Sequence, residues 1–187
     1  MAPVPDHTSV PAWAREPAVQ PVDPAAASCT ILTYGVRSLA AGWSGELTDL
    51  DIEHRIIELA PGDDAREQRV MAAELGRAVV GWRLMVVGPL AEVLRVRALA
   101  LNAGLLGAEI IVGTTEVDRL PVRCAHCRVR TLTIARVGQL VTCHGCSETL
   151  VIENHLSPLS GSFLGVKHDA EQPLDAEQPL GLSGARA

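Results

Sequence analysis

The chain has 187 residues, 48% of them hydrophobic, and a net charge of −6. That length holds one domain of ordinary size plus a small module, and no uninterrupted apolar run is long enough for a signal peptide or a membrane span. The mild acidity argues against bulk affinity for nucleic acid, and a start of Met1-Ala-Pro-Val-Pro without a basic head leads to the expectation of a cytoplasmic protein.

In chain order, residues 1–28 carry prolines at 3, 5, 11, 17, 21 and 24, which predict a flexible or extended arm with Trp13 as its one large side chain. Residues 29–118 read as an α/β domain. Cys29 to Tyr34 and His54 to Ala60 are strand-like runs, the second ended by the turn Pro61-Gly-Asp-Asp64. Between them, Gly35 to Asp51 permits only a short helix, because Gly42 and Gly45 interrupt it. Arg66 to Val80 places Val70, Met71, Leu75, Ala78 and Val79 at helical spacing, with Asp64 as the cap before it. Trp82 to Val87 is an almost continuous apolar strand stopped by Gly88-Pro89, Leu90 to Leu105 is a second packed helix, and Ala108 to Gly113 is the last strand. The alternation predicts an α/β fold with a small, mainly parallel sheet and flanking helices.

Residues 119–168 hold two knuckles, Cys124-Ala-His-Cys127 and Cys143-His-Gly-Cys146, fifteen residues apart. Two residues between paired cysteines let one tight turn aim both sulfurs at a single ion, so Cys124, Cys127, Cys143 and Cys146 are the metal candidates of a four-cysteine zinc ribbon. Arg130 to Val137 and Leu140 to Thr142 form its hairpin around Gly138-Gln139, and Leu150 to Glu153 its third strand. Four thiolates close the coordination shell, so the metal is structural; Zn²⁺ is the first assignment and a rubredoxin-like iron the alternative. Disulfides would need an oxidising compartment, which nothing here supports. His126 and His144 then point outward as spectators, His155 packs or hydrogen-bonds beneath the ribbon, and Cys29 is a packing thiol.

No histidine or carboxylate grouping forms a catalytic constellation, and Asp49, Asp51 and Glu53, like Asp63 and Asp64, suit turns and caps. Arginines 119, 123, 128, 130 and 136 make the ribbon a positive island, with no Asp or Glu from Arg119 until Glu148. They either offset the thiolate charge or face an anionic partner. The segment Asn154 to Val166 has apolar residues including Leu156, Leu159, Phe163 and Leu164, and is the expected docking segment. Residues 169–187 begin with Asp-Ala-Glu-Gln-Pro-Leu twice over and are expected to be disordered.

In open α/β sheets ligands sit beyond the carboxyl ends of strands, which makes Gly35, Gly88 and Pro89 the candidate nucleotide-contacting positions. No glycine-rich phosphate fingerprint accompanies them. Met85-Val-Val-Gly-Pro89, the helix after it, Gly104-Leu and Glu109-Ile-Ile-Val resemble the last third of a ferredoxin-reductase nucleotide-binding domain, in degenerate form.

A wider resemblance rests on Cys124 to Arg128, Thr131 to Thr133, Val137-Gly138, Val141 to Cys146, Leu150 to Ile152 and His155-Leu-Ser157 through Phe163-Leu-Gly165. Together these resemble the small subunit of bacterial dimethylamine monooxygenase. Where that family has an aromatic and paired arginines in the His-x-Ser segment, this chain has Leu156 and Pro158-Leu159. The resemblance implies a non-catalytic subunit of a multicomponent enzyme that N-demethylates a secondary amine with NADPH and O₂. Haem, flavin and iron–sulfur would then belong to partner subunits, a haem-binding one and a flavin/iron–sulfur reductase. Zinc ribbons also serve as nucleic-acid modules, and the arginines would suit phosphate. Against that reading, no aromatic lies between Trp82 and Phe163 to stack a base.

Overall fold

The computed structural model describes residues 9–168; the repeat-bearing tail expected to be disordered, and the first eight residues of the arm, lie outside them. The first sheet has the order β1-β5-β4-β2-β3, built from β1 (Ala18–Val19), β2 (Ser28–Thr33), β3 (Glu53–Glu58), β4 (Trp82–Gly88) and β5 (Ile110–Thr114). β2 runs parallel to β3 and β4, and β4 parallel to β5, whereas β1 pairs antiparallel with β5. Three helices pack on it: α1 (Arg37–Asp49), α2 (Asp64–Leu75) and α3 (Leu90–Asn102).

The second sheet has the order β7-β6-β10-β9-β8, from β6 (Leu120–Cys124), β7 (Arg130–Thr133), β8 (Leu140–Thr142), β9 (Thr149–Ser157) and β10 (Ser162–Lys167). Here β6 and β10 are parallel and the other neighbours antiparallel. The expectation of an α/β fold on one small, mainly parallel sheet of ferredoxin-reductase nucleotide-domain type, with a ribbon appended, is thereby corrected: there are two five-stranded sheets, both mixed. Two features cause the difference. The arm supplies an antiparallel edge strand, where proline-flanked residues need few ladder donors, and the segment after the ribbon folds back as β10 between β6 and β9.

Period-two alternation sorts the first sheet's side chains into two cores. Leu32, Leu84 and Val86 face Met71, Val93 and Val96 of α2 and α3, while Ile31, Met85 and Val87 face Trp43 and Leu47 of α1. Burial on both faces is why β4 reads as an unbroken apolar run. α1 is longer than its glycines suggested. Gly42 and Gly45 face open space and cost about 1 kcal/mol each, but Ala40, Trp43 and Leu47 are buried on one stripe and Trp43 Nε1 donates to the Gln20 carbonyl at 3.0 Å.

α2 ends at Leu75, short of the expected Val80, and its N-cap is Asp63, whose carboxylate accepts the Arg66 N–H at 3.0 Å. Its sheet-facing stripe is Glu67, Met71 and Glu74, two carboxylates where apolar residues were expected. Both are satisfied. Glu67 takes two Arg95 bonds at 2.8 Å and the Tyr34 hydroxyl; Glu74 takes Thr30 at 2.8 Å and the guanidinium groups of Arg55 and Arg77. Burial and the neighbouring Glu67 push the Tyr34 hydroxyl well up, which keeps it a donor.

From Ser9 onward the arm is laid across the molecule. Trp13 packs under Arg97 at 5.8 Å, its carbonyl accepts the Thr114 hydroxyl at 2.7 Å, and Asp23 pairs with Arg83 at 2.7 Å. The second sheet rests on α3 through a shared core in which Leu90 and Leu94 meet Val122, Ile152, Leu156 and Phe163. The expected docking segment is thus largely the chain's own interior: Leu156 and Phe163 are buried, while His155, Pro158 and Leu159 are exposed. Gly161 makes the close approach between the β9–β10 turn and α3 possible. It has φ +57°, and a Cβ there would lie 2.4 Å from the Leu94 carbonyl oxygen. Gly161→Ala should therefore cost about 1–3 kcal/mol in a denaturation experiment, and an unchanged midpoint would mean that the turn is not seated on α3.

Candidate metal centre

Each knuckle is the same turn used twice. At the end of β6, the Arg128 N–H donates to the Cys124 carbonyl at 3.0 Å and the Cys124 N–H to the Val129 carbonyl at 3.1 Å. Between β8 and β9, Ser147 donates to Cys143 at 3.0 Å and Cys143 to Glu148 at 2.9 Å. Arg128 and Ser147 close their turns at φ 65° and 61°, a left-handed conformation that non-glycine residues adopt at some cost. Gly145 is required by proximity, since a Cβ on it would meet Val129 at 2.6 Å and the Cys127 sulfur at 3.0 Å. The His144 N–H donates to the buried Thr131 hydroxyl at 3.1 Å and ties one hairpin to the other.

The result brings four sulfurs together. All lie within 4.8 Å of one another, with Cys124 to Cys146 at 3.8 Å and Cys127 to Cys143 at 3.4 Å. A tetrahedral zinc with bonds of about 2.3 Å needs sulfur separations of roughly 3.8 Å, so the donor set fits. Cys124 and Cys143 are buried, Cys127 and Cys146 half-buried, and all four are free thiols. The Cys146 and Gly145 N–H groups hold the Cys143 thiol down to about 6 against the opposing effect of burial. At Cys146 the Glu148 N–H favours the thiolate, but burial and the other three sulfurs outweigh it and push the thiol up to about 12. Such mutual repulsion is what a dication at the centre relieves.

The neighbouring histidines stay out. His126 and His144 are exposed and do not join the sulfur group, while His155 hydrogen-bonds through Nδ1 to the Ser9 hydroxyl at 3.2 Å. Cys29 lies in the first sheet's core, where burial pushes its thiol up to about 11. Gly35 follows β2 at φ +74°, and Gly88 lies against Tyr34, a Cβ there falling 2.7 Å from the Tyr34 Cβ. Pro89 is the α3 N-cap, and the Leu90 N–H after it is already taken by the Glu116 carbonyl at 2.8 Å. The small cavity beside Pro89, about 170 Å³, is lined by Glu92, Glu116 and Asp118 as well as Arg119, a poor setting for phosphate.

The buried Glu67 and Glu74 were legible only through their spacing: seven residues apart with Met71 between, they share one helical face.

Residues 121–166 match the family model described as dimethylamine monooxygenase subunit DmmA-like, C-terminal domain. The matched stretch holds all four cysteines and nearly all of the second sheet. The heme-dependent oxidative N-demethylase delta subunit of Ectopseudomonas mendocina (strain ymp) is 38% identical over 112 residues, which is 60% of this chain and 63% of that relative. No solved structure matches the chain. Among the described residues no helix is long and apolar enough to cross a membrane.

Proposed function

We propose that this chain is a non-catalytic, zinc-binding subunit of a multicomponent monooxygenase that oxidatively N-demethylates dimethylamine with NADPH and O₂. The observation that carries the proposal is a four-sulfur cluster inside a DmmA-like domain, supported by a relative named as the delta subunit of a heme-dependent oxidative N-demethylase. Zinc would be held by Cys124, Cys127, Cys143 and Cys146, and with four thiolates it presents no position to water or amine. Its role is to fix the ends of β6 and β9 and so hold the second sheet against α3. The haem, flavin and iron–sulfur centres that activate O₂ and pass electrons from NADPH belong to partner subunits under this proposal. A cytoplasmic location suits thiols that must stay reduced.

Turnover separates this reading from that of a self-sufficient enzyme. The purified chain, given dimethylamine, NADPH and O₂, should release no formaldehyde and consume no NADPH, and the remaining subunits should regain full turnover when the chain is added. Formaldehyde production by the chain alone would refute the accessory role.

A further inference from the structure

A groove of about 710 Å³ opens at the end of the second sheet away from the cysteines. Leu120 and Phe163 form its buried floor with Val10 and Ala14 of the arm, and Ile134 and Val137 of the β7–β8 loop form its wall. Ile134 is 78% exposed and Val137 40%, so apolar surface continues from the core out to solvent. Arg15 and Arg136 also line the groove, against one carboxylate, Asp118.

Two guanidinium groups thus face one carboxylate across the groove. Arg15 and Arg136 have no carboxylate partner among the described residues, as is also true of Arg66, Arg69, Arg97, Arg119, Arg123, Arg128 and Arg130. The sulfur cluster does not explain them. Leu120 lines the groove and Cys124 the metal centre, four residues along one strand, roughly 13 Å, beyond a screening length of about 8 Å at physiological salt. Two smaller cavities are already committed, one around Glu74 and its arginines and the other walled by carboxylates.

We infer that this groove is the docking site for an apolar, acidic segment of another subunit of the N-demethylase, an inference that rests on the function proposed above. An apolar floor matches buried side chains of a protein partner, and Arg15 and Arg136 at the rim match its carboxylates. Nucleic acid fits less well, because a phosphate backbone needs donors where this floor offers hydrocarbon.

The test uses the full chain, zinc-loaded, titrated against the remaining subunits of the N-demethylase expressed together without it. Ile134→Asp and Arg136→Glu should each weaken association by about tenfold or more, with zinc content and melting temperature unchanged. Val80→Asp, at an exposed apolar site elsewhere, should bind as wild type. Wild-type association with both groove variants unaffected would overturn the groove and leave the subunit reading standing; no association by the wild type would overturn both. Groove variants that abolish self-association in sedimentation would assign the site to a second copy, and a wild-type affinity that rises on deletion of 169–187 would assign it to the chain's own tail. Tight, salt-sensitive retention on DNA or RNA lost in Arg136→Glu would assign it to nucleic acid; each of these three outcomes overturns the inference.

Discussion

Serine in place of Cys143 should drop bound zinc from about one ion per chain, the stoichiometry of a single four-thiolate site, to a small fraction. Residues 120–167 should then lose their protection against amide exchange while β2, β4 and β5 keep theirs. The size of the effect follows from what else holds the knuckles. Around the sulfurs only Leu150 is a fully buried apolar side chain, with Val141 half-buried beside it, so the turns have no core of their own. Structural zinc contributes about 10–16 kcal/mol in zinc-finger peptides, as much as a whole domain's net stability of about 5–15 kcal/mol. Elemental analysis with exchange mass spectrometry reads both parts of the result. Full zinc occupancy in the variant would mean that another group, such as His126 or His144, completes the shell.

Phe163→Ala should destabilise the chain by about 3–5 kcal/mol, equivalent to roughly 6–20 °C in melting temperature for a protein of this size. Phe163 is 2% exposed, pairs with Leu156 across the hairpin and with Val122 on β6, and shares its core with Leu90 and Leu94 of α3. Its removal leaves a cavity between the second sheet and α3. Zinc content should hold, because the sulfurs gather at the other end of β6 and β10. An unchanged melting temperature would contradict the burial of Phe163 in the core shared with α3.

What the sequence makes legible is whatever depends on local spacing. Two residues between cysteines dictate a knuckle, and the apolar runs of β2, β4 and β5 announce strands buried on both faces. What it hides depends on distant pairing. Nothing local in Ser162–Lys167 says that it inserts between β6 and β9, or that Ala18–Val19 adds an antiparallel edge to β5; a segment rich in Phe and Leu reads equally well as a docking peptide or as core. α1 was underread because burial of Trp43 outweighs two glycines. The stripe of Glu67 and Glu74 is hidden because a carboxylate is expected outside, unless arginines from elsewhere reach it, and Arg95 and Arg55 arrive from α3 and β3. The groove was invisible for the same reason, since Val10, Arg136 and Phe163 meet only after the arm and the second sheet have closed on each other.

Native mass spectrometry of the assembly captured through a tag on this chain reads its metal and its partners together. The expected result is a stoichiometric complex in which this polypeptide retains one zinc ion and a separate polypeptide carries haem. A chain that emerges without a haem-bearing partner, or that carries iron in place of zinc, would contradict it.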